Sequence, residues 1–130
     1  MATESKSVVR TEAAPAPFQG APYSQAIRAG DFVFVSGQLG LKPGDERIEG
    51  GIVEQTEQIF RNLRAILEEA GSGLDSLVKT TVFLIDLDDF GAMNEVYANH
   101  VGSSPPARAT AQVAALPSGA RVEIEAIAEV

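Results

Sequence analysis

The chain has no cysteine and a single histidine, His100. The missing thiols exclude disulfides, thiolate nucleophiles and zinc–thiolate sites together. With one imidazole, no H-x-x-x-H pair and no EF-hand loop, a metal site would have to be built from carboxylates alone, and none is expected. Positive charge is also scarce: 10 Lys and Arg stand against 18 Asp and Glu, a net charge of -8. Such a field repels phosphate backbones, and no basic cluster opposes it locally, so nucleic acid is not an expected partner. No apolar run approaches the roughly 20 residues that span a bilayer. The opening "MATESKSVVR" lacks an apolar signal core. A cytoplasmic protein without membrane contact is therefore expected. Neither G-x-G-x-x-G nor G-x-x-x-x-G-K occurs, so the usual cradles for dinucleotide and nucleotide phosphates are missing.

What is present reads as an ordinary globular chain, 45% hydrophobic and 22% charged over 130 residues. That length suits one domain, residues 1–130, with about residues 1–7 as a flexible polar tail. A short strand is expected in "VVRTEAAPAP", ended by Pro15 and Pro17. Two more lie in "PYSQAIRAGDFVFVSGQ", joined at Ala29-Gly30-Asp31. "LKPGDERIEGG" is a loop. Beyond it, Ile52, Ile59, Leu63, Ile66, Leu67 and Ala70 recur at helical spacing, with Gln, Glu and Arg opposite and Gly71 as the stop. "LVKTTVFLIDL" has the apolar, β-branched character of a central strand. Asp88 or Asp89 is expected to cap a second helix bearing Phe90, Met93, Tyr97 and Val101 on one side, halted at Ser103-Ser104-Pro105-Pro106. "ARATAQVAAL" and "RVEIEAIAEV" flank "PSGA" and read as a hairpin. The expected class is α+β, a mixed sheet with two helices on one face.

Two helices cover one face of a sheet, yet "FVFVS" and "VFLI" carry apolar residues toward both. Burying an exposed valine or leucine is worth roughly 1.5–3 kcal/mol. A homo-oligomer in which open sheet faces meet is the expected solution, with clefts at the seams as ligand sites.

Against this background a few polar residues stand out. Arg108 shares a strand face with Thr110 and Gln112, opposite Ala109, Ala111 and Val113. Its guanidinium is a solvated group, a structural salt bridge at an interface, or a planar fork waiting for a ligand carboxylate. Glu123 and Glu125 share a face of the last strand, as a solvated pair or as acid–base groups. The expected hairpin sets Glu123 beside the strand of Arg108. Tyr23 reads as a packed aromatic with a bonded hydroxyl, and Gly37, after Ser36, as a bulge or a close backbone approach. Asn62, Asn94 and Gln55 read as caps or inter-element hydrogen bonds, and His100 as a cation suited to a helix C-terminus.

Taken together, "APYSQAIRAGDFVFVSGQLG", "GGIVEQTEQIFRNLRAILEEAG", "LVKTTVFLIDLDDFGAMNEVY" and "PPARATAQVAALPSGARVEIEAIA" resemble the Rid/YjgF family of reactive-intermediate imine deaminases. The likeness runs from about Pro22 to Ala128. Its most specific parts are P-Y-S-Q-A, S-G-Q, P-A-R and L-P…V-E-I-E-A-I-A, in that order. The resemblance implies a chorismate-mutase-like α+β fold and a homotrimer with active sites between subunits. It further implies cofactor-free hydrolysis of 2-imino acids and their enamine tautomers, such as 2-aminoacrylate, to 2-keto acids and ammonia.

By position, the resemblance gives Arg108 the substrate carboxylate, assisted by the Gly37 backbone, and gives Glu123 the activation of water. Tyr23 and Ser36 would line the pocket. Thr110 stands where many relatives have cysteine, which removes thiol reactivity but keeps a hydrogen-bonding group. Two rival readings remain: a trimeric binder of small carboxylates such as 2-keto acids, indifferent to loss of Glu123, and an endoribonuclease, against which the acidic charge and the lack of a histidine pair argue.

Overall fold

A computed structural model describes residues 5–130. The first strand, β1, is Ser7–Val9, followed by β2 (Ala26–Ala29) and β3 (Phe32–Gln38). Helix α1 (Ile52–Glu69) leads to β4 (Leu77–Leu84), and α2 (Phe90–Val101) leads to β5 (Ala107–Gln112) and β6 (Val122–Glu129). The expected tail falls in part on residues 1–4, outside the described residues, and Ser7 at its end already pairs with Arg28.

Local chemistry explains these boundaries. β2 and β3 are joined by Gly30 and Asp31, with Gly30 at φ +60°, the left-handed conformation a two-residue hairpin loop needs at its first position. Helix α1 opens with the Glu54 carboxylate accepting the Gly51 N–H at 2.8 Å. Backbone N–H donors there hold the Glu54 pKa below its ordinary value. The helix closes at Gly71, φ +83°, where the Gly71 and Ser72 N–H groups return to the Glu68 and Leu67 carbonyls. The start of α2 departs from expectation. Asp86 caps the preceding 3-10 turn by accepting the Asp88 N–H, whereas Asp89 makes no cap and instead binds Arg121 at 2.8 Å.

The sheet order is β1-β2-β3-β6-β4-β5. The expected hairpin between β5 and β6 is not formed. β6 lies antiparallel between β3 and β4, and β5 pairs parallel with β4 on its far side. Composition gives the reason. β6 carries Val122, Ile124, Ala126 and Ala128, all buried, and so takes a central place, while no residue of "ARATAQ" is buried and β5 sits at the edge. Helix α2 supplies the crossover that a parallel β4–β5 pair requires.

Both helices pack on the face formed by Val33, Val35, Val82, Leu84, Val122 and Ile124. The other face has no cover among the described residues. A row of registered partners crosses it, Val8, Ile27, Phe34 and Ile127, with Val8 55% and Phe34 46% exposed. The expectation that both faces of "FVFVS" need burial is therefore met on one side only within a single chain.

Candidate active site

On the open face, where β3 ends, a cleft of about 370 Å³ is lined by Tyr23, Ser36, Gly37 and Glu123, with Pro15, Phe18 and Pro117 at its walls. The alternation of β6 turns Glu123 to this face while its neighbours Val122 and Ile124 enter the core. The β3–β6 register shifts between Val35 and Gln38, so Gly37 belongs to a bulge, as the sequence suggested. The absence of a side chain at 37 has a direct consequence. A Cβ there would lie 2.8 Å from Glu123 Cδ, on top of the carboxylate. Glycine leaves the space in which the Glu123 side chain sits.

Desolvation raises the Glu123 pKa, and the negative charge of Glu125 raises it further. No lining residue of the cleft is basic. The reading of Glu123 as a merely solvated group is thus weakened.

The surrounding polar groups hold the cleft in shape. The Tyr23 hydroxyl accepts the Phe18 N–H at 2.6 Å, and the Ser36 hydroxyl donates to the Ser24 carbonyl at 2.6 Å. Gln25, 4% exposed, accepts the Thr11 N–H at 2.7 Å and donates to the Thr11 and Pro15 carbonyls at 3.0 and 2.8 Å. It thereby fixes the wall formed by Pro15 and Ala16. From α1, the Asn62 side chain donates to the Leu39 and Leu41 carbonyls at 3.2 and 2.9 Å. Gln55 accepts the Arg121 N–H at 2.9 Å. Asn62 and Gln55 thus make the inter-element bonds expected of them. Gln25 and Gln58, both buried, were not singled out by the sequence reading, because a polar residue buried for its amide leaves no mark in hydrophobic periodicity.

Arg108 and Thr110 are elsewhere. Arg108 is registered with Thr80, which is fully buried beneath the helices, and its guanidinium carbon lies 4.8 Å from the Tyr97 ring centroid and 5.5 Å from that of Phe90. Thr110, registered with Val82, shares that face. The expectation that the β5–β6 connection brings Glu123 beside Arg108 is corrected: the strand β4 separates β5 from β6, and the two residues point to opposite faces of the sheet. Among the described residues Arg108 makes no salt bridge. His100 lies in the last turn of α2, as expected, and makes further contacts there. It hydrogen-bonds Glu57 at 3.1 Å and stacks on Phe60 with centroids 4.7 Å apart. The Asn94 side-chain oxygen is buried with no partner among the described residues.

No group of three or more His, Cys, Asp or Glu among the described residues is arranged to hold a metal. No helix of the described residues is long and apolar enough to cross a membrane.

The architecture is that of an α+β protein presenting a carboxylate-bearing cleft on the uncovered face of its sheet. Residues 11–130 match the profile of the Endoribonuclease L-PSP family. The chain belongs to this family, the Rid/YjgF family. It is 50% identical over 124 residues to a RutC family protein of Pyrococcus abyssi, covering 95% of this chain and 96% of the relative. It is 48% identical to the mouse protein named 2-iminobutanoate/2-iminopropanoate deaminase, covering 95% and 90%. The crystal structure of RidA from an Antarctic Psychrobacter superposes with a TM-score of 0.91 at 44% identity, covering 95% and 99%.

Proposed function

We propose that this protein hydrolyses 2-imino and 2-enamino acids to 2-keto acids and ammonia, in clefts shared between the subunits of a homotrimer. The observation that carries the reading is Glu123: a carboxyl of raised pKa facing a cleft beside a bulge glycine. A general base works best when its pKa lies near the working pH, and burial moves this one in that direction. The mouse relative's name points to the same substrate class.

An imine carbon is already electrophilic, so the chemistry asks for a held substrate, a placed water and one proton relay, with no cofactor. Glu123 takes a proton from water as the water oxygen bonds to the imine carbon. The C=N electron pair moves onto nitrogen, which takes that proton back from Glu123 to give a carbinolamine. Glu123 then relays the hydroxyl proton to the same nitrogen as the C–N bond breaks, releasing ammonia and the keto acid. Arg108 grips the substrate carboxylate through its planar fork of donors, aided by the Gly37 backbone. Tyr23 and Ser36 shape the wall, and Thr110 offers a hydroxyl beside the guanidinium.

Arg108 and Glu123 meet only if they come from different chains. Three features support this: among the described residues the cleft has no basic lining residue and Arg108 has no anionic partner, and the apolar open face needs cover. Imines generated from several amino acids by an oxidase, with keto-acid formation followed for the parent and for Arg108→Ala, test the proposal. A loss of two orders of magnitude or more is expected, and equal rates would overturn it.

A further inference from the structure

The way Arg108 is held leads to a role for a residue outside the cleft. A fork of donors meant for a ligand must be kept in place without being used up. A carboxylate neighbour would fix it but would also neutralise it and occupy its N–H groups. An aromatic face attracts a cation through its ring quadrupole and takes up none of those in-plane donors.

Arg108 has the second arrangement. Its guanidinium carbon is 4.8 Å from the Tyr97 ring centroid and 5.5 Å from that of Phe90, residues seven apart on α2. Tyr97 is itself fixed on two sides. Its hydroxyl is hydrogen-bonded at 2.6 Å to the Thr80 hydroxyl, and Phe60 meets its ring edge-on, centroids 5.4 Å apart at 86°. Thr80 is also the register partner of Arg108 across the parallel ladder. One β4 residue therefore sets both the height of the arginine backbone and the position of the ring beneath its side chain. Phe90, 40% exposed, forms the outer lip.

We infer that Tyr97, anchored by Thr80 and extended by Phe90, is a positioning residue that holds the Arg108 fork open for the substrate carboxylate. This rests on the deaminase reading, because it presumes that Arg108 binds that carboxylate. The ring is the working part and the hydroxyl is the anchor, so the two are separable by substitution.

The test measures KM and kcat for an oxidase-generated imino acid, and the dissociation constant of 2-oxobutanoate as a stable keto acid, across a set of variants. Tyr97→Leu is expected to raise KM and the dissociation constant roughly five- to thirty-fold, with kcat changed less. Tyr97→Phe is expected to recover most of that loss. Val101→Ala, which thins the core contact of the same helix one turn further on, is expected to lower thermal stability with KM unchanged. Phe90→Ala, at a half-exposed position that folding tolerates, is expected to raise KM about threefold. It decides the matter should Tyr97→Leu fail to fold.

Parental KM in Tyr97→Leu, or in Phe90→Ala where that variant decides, would overturn the inference. So would a KM rise in Val101→Ala as large as in Tyr97→Leu. An Arg108→Ala variant as active as the parent would instead overturn the deaminase reading itself, a result separable from the others.

Discussion

The Glu123 carboxylate occupies the space in which a Cβ on Gly37 would stand. Residue 37 thus controls where the carboxylate points, although the two are 86 positions apart in the chain. The atoms in conflict are at the free end of a flexible side chain, so the clash is relieved by rotating Glu123 and not by moving backbone. Gly37→Ala is therefore expected to separate stability from activity. The thermal midpoint should stay within a few degrees of the parent while kcat/KM for imino acids falls at least about tenfold. Scanning calorimetry and the coupled assay check the two halves. A variant with parental activity would show that the carboxylate position is not critical.

Glu123→Gln is expected to lower kcat about a hundredfold or more, the usual worth of a positioned general base. The parent's rate should fall at acid pH as Glu123 protonates, and the variant's residual rate should lack that limb. Stability moves the other way. Burial raises the native pKa of Glu123 above its ordinary value of 4.5, so between those values the native state holds more proton than the unfolded chain. The stability linked to this group is complete below 4.5 and is lost as pH rises through the native pKa. At pH 7 glutamine removes a cost that the parent bears. The variant's thermal midpoint should then exceed the parent's at neutral pH, with the gap closing below the ordinary carboxyl range. Thermal scans over a pH series would show this.

Gln25→Leu removes an amide that serves one N–H and at least two carbonyls at the base of the cleft wall. Leaving those groups buried and unpaired costs about 2–4 kcal/mol. Since Pro15 and Ala16 follow the wall, KM should rise as well. Denaturant titration alongside steady-state kinetics measures both effects. Unchanged stability would mean that water replaces the amide without loss.

Much of this fold was legible from periodicity. Helix α1 follows the 3.6-residue spacing of Ile59, Leu63, Ile66 and Leu67 together with a C-terminal glycine, and the Gly30-Asp31 turn joins β2 to β3 as expected. The position of β6 was not found by that route, because adjacency in sequence suggests a hairpin while centrality in a sheet is a competition among all strands. The relative burial of "VEIEAIA" and "ARATAQ" decides that competition, and comparing the apolar content of the two stretches would have placed β6 inside and β5 at the edge. The cleft was half legible. Tyr23, Ser36, Gly37 and Glu123 do converge, but the separation of Arg108 depends on the strand order, and the buried amide of Gln25 reaches residues 10 to 14 positions back, contacts that no spacing encodes.

Opposed faces for Glu123 and Arg108 lead to a test of assembly. If each site takes its base from one subunit and its carboxylate clamp from the next, Arg108→Ala and Glu123→Gln are each nearly inactive alone, yet each chain carries what the other lacks. Dissociating the two variants, mixing them in equal amounts and reassociating them leaves about one quarter of the sites with both groups intact, given random assembly around a closed ring. Activity near that fraction of the parent's is expected. The open face supplies a control. Phe34, registered between Ile27 and Ile127 and 46% exposed, is expected to be covered by a neighbouring subunit. Phe34→Asp places a charge on that surface and should give a folded monomer by light scattering, without turnover, and should abolish rescue when introduced into both complementing variants. Rescue that never exceeds the sum of the separate activities would mean that the two groups do not act in one site.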